Sequence, residues 1–299
     1  MTEIAVGCGQ LTWNQFPNSD GARWPEAQIL AEIAAAGYDG TPANPLDGLS
    51  TPESAGLYAD LGLRPAPGYL GADWWDPAQR AAILDQAQRQ AAFSRELGVR
   101  ELYVAAGGSG YLARSGRTRA QAAGHVTPDD ALSDAEYAQF AETLNAAAEL
   151  TLREDVTCCF HNHVGTPIET RAETDRLLAL LDPALVALGP DTGHLAWAGA
   201  DPVAFCRDYA PRIRTLHLKD IDAAVAARGR AAAWDYRAFT ANGVFTELGQ
   251  GSVDFPAILA ILREHAFTGW AIVETDVTQR PTALESATIS RAYLRAIGL

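Results

Sequence analysis

Short apolar runs alternate with segments of helical periodicity from one end of this chain to the other, and the unit repeats eight times. Residues 4–8, 38–41, 63–69, 99–104, 156–161, 185–191, 213–218 and 270–274 read as strands, being short, apolar and bounded by Gly, Pro or polar residues. Helical spacing predicts helices over 25–36, 52–61, 76–97, 134–153, 171–181, 202–209, 255–265 and 283–297. Gly37 and Gly98 close two of them, and Thr51-Pro52 supplies an N-cap and a first helical position. Parallel strands need a crossover connection, and the intervening helices provide one. Eight such units in 299 residues predict an α/β chain with one domain over 1–299, a single (β/α)8 TIM barrel. One stretch is too long for a simple connection. Residues 220–253 carry Trp234 and Tyr236 among several arginines and read as a long lid-like loop.

Charge narrows the function. Thirty-seven acidic against 23 basic residues give a net charge of −14, which opposes any electrostatic grip on nucleic acid or on an anionic membrane. A small-molecule substrate is the expected partner, with a homo-oligomer left open. No uninterrupted apolar run is long enough to span a bilayer, and the N-terminus lacks a basic region followed by an apolar one. The four cysteines, Cys8, Cys158, Cys159 and Cys206, form no Cys-x-x-Cys pair and read as buried free thiols. A soluble, cytoplasmic protein is the expectation from these features together.

In a barrel of this kind the chemistry sits at the C-terminal ends of the strands. The later runs stop at Asp191 in Pro190-Asp-Thr-Gly-His194, at His217 in Leu216-His-Leu-Lys-Asp220, and at Glu274 in Val273-Glu-Thr-Asp276; the fifth stops at His161-Asn-His163. Each alone has an ordinary structural explanation: Asp191 as a helix cap, His217 as a satisfied core histidine, Glu274 as the start of the next helix. Their shared position at strand ends makes them a metal set instead. Carboxylates converging with imidazole suit one divalent ion, Mn²⁺ or Co²⁺ first, with Mg²⁺, Fe²⁺ or Zn²⁺ as alternatives. Lys219 lies two residues after His217, on the same face of its strand.

The residues Asp191-Thr-Gly-His194, Arg212 to His217-Leu-Lys-Asp220 and Glu274 resemble the xylose-isomerase-like barrel superfamily of sugar isomerases and epimerases. More narrowly, His161-Asn-His-Val-Gly-Thr-Pro-Ile-Glu-Thr170, Gly243 to Pro256 and Gly269-Trp-Ala-Ile-Val-Glu274 resemble the inosose dehydratases of myo-inositol catabolism. The resemblance implies a metal held by Glu169, Asp191, His217 and Glu274, with His161 or His163 as alternatives for the first ligand. It also implies acid–base or substrate-binding roles for His161, His163, His194 and Lys219. After Gly37-Tyr-Asp-Gly40, members of the superfamily often carry a Val-Glu-Leu strand end, where this chain has Thr41-Pro-Ala-Asn-Pro45. The N-terminal substrate wall therefore differs, and Trp13 and Asn14, with Trp74 and Trp75, are the aromatic and polar groups expected to line it. Trp234 and Tyr236 are expected to reach the substrate from the lid.

The implied reaction is a metal-dependent dehydration of a keto-cyclitol, 2-keto-myo-inositol, through a metal-stabilised enolate, a lyase activity. The alternative returns the proton instead: a ketose epimerase or aldose–ketose isomerase. Two other classes fit less well. A multi-zinc DNA-repair endonuclease needs histidines at more strand ends and a basic face, and a non-catalytic binding protein would hold metal without turnover.

Overall fold

A computed structural model describes residues 4–16, 24–45 and 49–299. The strands are β1 (Ala5–Cys8), β2 (Gly40–Pro42), β3 (Arg64–Ala66), β4 (Gly68–Ala72), β5 (Glu101–Ala106), β6 (Thr157–His161), β7 (Val186–Leu188), β8 (Leu216–Leu218), β9 (Asp220–Ile221), β10 (Phe245–Thr246) and β11 (Trp270–Val273). Parallel pairing runs β3-β2-β1-β11-β8 in one sheet and β4-β5-β6-β7 in another. Two contacts join them into a closed barrel. Parallel bridges Leu188↔Ile213 and Asp191↔His217 tie β7 to β8, and β3 and β4 are one stave broken at Pro67, which has no N–H to give the ladder. Eight staves result, as the alternation predicts.

The helices form the outer layer and bury their apolar stripes on the barrel. The helix Asp134–Leu152 places Phe140, Leu144 and Ala148 in the main core, and each large apolar side chain so buried contributes roughly 1.5–3 kcal/mol. Boundaries shift where local chemistry intervenes. The helix expected from Asp76 begins at Arg80, because Asp76 spends its carboxylate on the Ala78 N–H and holds a turn there. Ser50, rather than Thr51, caps the helix Thr51–Asp60 in a capping box with Glu53. Inside the barrel, Ala66, Tyr103 and Ile272 pack as a layer beneath the strand ends. All four cysteines are free and buried. Among the described residues no helix is long and apolar enough to cross a membrane.

The stretch 220–253 is folded rather than an irregular loop. β9 and β10 pair antiparallel, with Phe245 opposite Ile221, and enclose the helices Ala223–Ala231 and Tyr236–Ala241. A second small core holds this unit together: Val225, Ala226, Phe239, Val244 and Phe245 pack with Trp197 from the barrel side. Asp220 anchors its base by accepting N–H groups from Gly249, Gly251 and Val253.

Candidate active site

Four consecutive staves deliver the site. β6 ends at His161, β8 carries His217 and leads to Lys219, and β11 leads to Glu274 and Asp276. Asp191 follows β7 as the N-cap of the helix Thr192–Trp197: its Oδ1 accepts the His194 N–H at 2.8 Å, while Oδ2 has no hydrogen-bond partner. Asp191 thus caps the helix through one oxygen and turns the other to the Lys219 ammonium at 3.2 Å. Asn162 fixes it in place, accepting the Asp191 N–H at 3.0 Å and donating to its carbonyl at 3.3 Å.

One group could hold a metal ion. Ligand atoms of His161, Asp191 and His217 lie within 4.8 Å of one another, the spacing that ~2.0–2.2 Å metal–donor bonds require. His217 is 2% exposed, yet its Nε2 has no hydrogen-bond partner. An orphaned buried nitrogen of this kind costs free energy unless something binds it. Glu274 Oε2 comes within 3.1 Å of His217 Nδ1, and Gly9 makes room for it, since a Cβ there would fall 2.4 Å from Glu274 Oε1. His161 Nδ1 lies 3.2 Å from the Gly189 carbonyl, which can only accept, so the ring's proton sits there and Nε2 is left for the metal. Burial, together with His217, His163 and Lys219, holds His161 well below the usual imidazole range, in the neutral form a ligand needs.

Lys219 stands beside this cage as a buried cation, 1% exposed. Its Nζ lies 2.7 Å from Asp276 Oδ1, 3.2 Å from Asp191 Oδ2, 3.4 Å from Glu274 Oε2 and 3.2 Å from His194 Nε2. Burial works against its charge, but Asp191, Asp276 and Glu274 outweigh it and hold the amine protonated. The same balance acts on Glu274, where burial is overcome by His217 and Lys219 and the carboxyl is held well below its usual range. Asp191 goes the other way, raised by burial. Asp220 and Asp222, the sequence neighbours of Lys219, are engaged elsewhere, with backbone N–H groups of 249–253 and 224–225.

A second layer covers the cage. His163 Nδ1 is 2.7 Å from the Val164 carbonyl, which places its proton on Nδ1 and leaves Nε2 bare. His194 accepts the Val164 N–H at Nδ1, so its proton is on Nε2. Their rings lie 3.8 Å apart between centroids, and Tyr236 stacks on His163 at 6.0 Å with its hydroxyl 3.5 Å from Asp276 Oδ2. Burial lowers both histidines below the ordinary value.

Several expected residues stand elsewhere. Glu169 is not in the cage: its two oxygens accept the N–H groups of Gly124 and Gly165, with Arg119 at 3.8 Å. Of the candidates for the first ligand, the structure brings His161 to Asp191 and His217, and sets His163 instead with His194 and Asp276. Trp13 is buried in the main core with its indole N–H on Glu32, and Asn14 is exposed on the 3-10 helix Leu11–Gln15. Trp74 donates to the Ala105 carbonyl, and Trp75 packs on Phe140. Trp234 edges against Phe239 inside the 220–253 unit. Sequence reasoning missed Asp276, two residues beyond Glu274 and 2.7 Å from the Lys219 ammonium, and Tyr69, whose ring meets His161 edge-on at 5.4 Å. Tyr69 was visible as the last residue of the third predicted strand.

Comparisons with known proteins agree with this fold. Residues 30–297 match the family described as xylose isomerase-like TIM barrel. An inosose dehydratase of Geobacillus kaustophilus is 30% identical over 272 residues, covering 91% of this chain and 87% of the relative. A probable 3-DHS dehydratase, AsbF, from Bacillus anthracis superposes with a TM-score of 0.71 at 16% identity, covering 98% of this chain and 99% of that one. The IolI protein with a bound zinc atom superposes at 0.69 with 15% identity, covering 98% of each chain. At those identities the structural matches speak for the fold.

Proposed function

This chain belongs to the xylose isomerase-like TIM barrel family, and from that premise we propose that it is a metal-dependent lyase that removes water from a keto-cyclitol, 2-keto-myo-inositol. The observation that carries the reading is the buried His217 ring, whose Nε2 has no partner and whose Nδ1 meets the Glu274 carboxylate, set beside His161 and Asp191 at the strand ends. His161, Asp191, His217 and Glu274 would hold one divalent ion. Two imidazoles and two carboxylates form a mixed donor set that suits Mn²⁺, Co²⁺ or Zn²⁺, and Mn²⁺ is our choice. Such an ion supplies Lewis acidity to a ketone oxygen and its neighbouring hydroxyl.

The protein's own groups do the proton work. His163, whose Nε2 is left bare, takes the proton next to the carbonyl. Electrons of that C–H bond become the new C=C, the β C–O bond breaks, and the hydroxyl leaves as water with a proton from the Lys219 ammonium. Solvent then returns the proton from His163 to Lys219. Asp276 holds the ammonium in place, and Tyr236 closes the mouth over His163. General acid–base catalysis of this kind contributes roughly 10²–10⁴ in rate, so electrostatic stabilisation supplies the rest.

The experiment is mass spectrometry of 2-keto-myo-inositol incubated with Mn²⁺-loaded protein, beside a chelated control. Metal-dependent loss of one water is the expected result. An unchanged mass with a rearranged product favours the epimerase or isomerase reading, which uses the same first proton transfer; no reaction at all overturns both for this substrate.

A further inference from the structure

Glu169 is 1% exposed, yet it stands outside the metal cage. Its Oε1 accepts the Gly124 N–H at 2.8 Å and its Oε2 accepts the Gly165 N–H at 2.7 Å. Behind it lies Arg119, fully buried, 3.8 Å away and gripped by both oxygens of Glu173 at 2.8 and 3.1 Å. Glu173 also accepts the Glu169 N–H at 3.0 Å. The carboxylate is therefore fixed from behind and reaches forward to turns in two separate βα connections.

Both turns carry the cap. Gly165 and Gly124 have φ of 81° and 73°, a left-handed conformation that side chains other than glycine rarely adopt. A Cβ on Gly165 would lie 3.0 Å from the Tyr236 ring, and one on Gly124 2.7 Å from Trp197 Nε1 and 3.2 Å from Phe239. Aromatic rings of the cap thus rest directly on the two backbone turns that Glu169 holds. One of those rings, Tyr236, covers His163 and meets Asp276.

We propose that Glu169 is a positioning residue: with Arg119 and Glu173 it pins the Gly124 and Gly165 turns into one surface on which the 223–241 cap seats, and so fixes Tyr236 and His163 over the metal-binding residues. The proposal rests on the reading of that cluster as the active site. Its consequence is a carboxylate that governs substrate closure without touching metal or substrate.

Glu169→Gln tests it. Glutamine keeps one acceptor oxygen and turns an N–H₂ group toward the other glycine's N–H, so one turn is released. Three results are expected. Bound Mn²⁺ per chain, by elemental analysis, equals wild type. Amide exchange of residues 236–241 speeds up, while exchange in the barrel strands does not. On 2-keto-myo-inositol kcat/KM falls by about 10²-fold, the cost of misplacing groups by about 1 Å. In a Tyr236→Ala background the same substitution should cost little, because the ring it positions is gone; full additivity would assign Glu169 a merely structural role. Gly165→Ala, which strains the turn with the carboxylate intact, should reproduce the exchange and kinetic effects, and it serves should the glutamine variant not fold. Loss of the metal with cap exchange unchanged would make Glu169 a ligand and overturn the proposal, as would wild-type exchange in both variants. Should the wild type leave this substrate untouched, the functional reading fails, while metal content and exchange still decide the role of Glu169.

Discussion

The Lys219 ammonium lies 3.2 Å from Asp191 Oδ2, an oxygen that has no hydrogen-bond partner. A fixed positive charge therefore faces a carboxylate that the donor geometry also offers to a divalent ion. Before metal arrives, the lysine is the counter-charge that makes burying Asp191, Asp276 and Glu274 together tolerable. With metal bound, Asp276 at 2.7 Å remains to hold it.

Replacing Lys219 by Met should therefore separate two effects. The metal-free variant loses the only ammonium among three buried carboxylates, and leaving such partners uncompensated costs roughly 3–5 kcal/mol. Adding Mn²⁺ restores positive charge at the same place and no longer meets an ammonium, so the rise in Tm on metal addition should exceed that of wild type. Thermal scanning with and without Mn²⁺ measures both; a smaller metal-induced rise in the variant would contradict the shared-charge picture.

His217→Ala and Glu274→Gln should each abolish turnover, by at least about 10³-fold if charge stabilisation by the ion is the main catalytic contribution. Neither should unfold the barrel, since both groups sit at strand ends above the Ala66–Tyr103–Ile272 layer. Circular dichroism and bound-metal analysis give the check. A folded variant with wild-type rate would remove the metal from the mechanism.

His161 and His194 are held neutral, with pKa values pushed well below 6.5 chiefly by burial. A depressed histidine binds fewer protons folded than unfolded, so its contribution is fully present above about pH 6.5 and is lost as pH falls below it. The two histidines should cost about 2 kcal/mol in going from pH 6.5 to 5.5, at up to ~1.4 kcal/mol per group per pH unit, and Glu169, raised to about 7 chiefly by burial, offsets part of that as it takes up its proton. Urea midpoints of chelated protein across that window measure the slope, which should flatten in His194→Asn. A slope in His194→Asn equal to that of wild type would mean the His194 imidazole already carries charge in the fold.

Tyr236→Phe removes a hydroxyl 3.5 Å from Asp276 but keeps the ring on His163. It should lower kcat/KM only a few-fold, in the range of ~0.5–1.5 kcal/mol for one hydrogen bond. Tyr236→Ala removes the cover as well and should cost far more. Equal losses in both would move the weight from the ring to the hydroxyl. Steady-state kinetics on the metal-loaded enzyme distinguish the cases.

Reading the chain reached the barrel because the alternation of strand and helix is written locally, in periods of two and 3.6 residues. It reached Asp191, His217 and Glu274 because each terminates an apolar run, and strand ends are where a barrel keeps its chemistry. It went astray over Glu169, which sits in the same loop as His161 and His163 and has the same chemical credentials. Which of those three turns inward depends on the Gly124 and Gly165 N–H groups and on Arg119, up to 50 residues distant in sequence. Trp13 failed for a similar reason, because its direction is set by Glu32 on a neighbouring helix.

By itself, then, the sequence determined the fold class, the staves and the placement of Asp191, His217 and Glu274 at strand ends, all of which follow from short-range pattern and from the polarity of strand ends. Only the tertiary structure decided which imidazole stands beside Asp191 and His217, that Lys219 shares a space with Asp276 and His194, and that 220–253 folds on its own small core. Those outcomes turn on contacts between distant segments, where a few tenths of an ångström and the loss of water decide which polar groups meet.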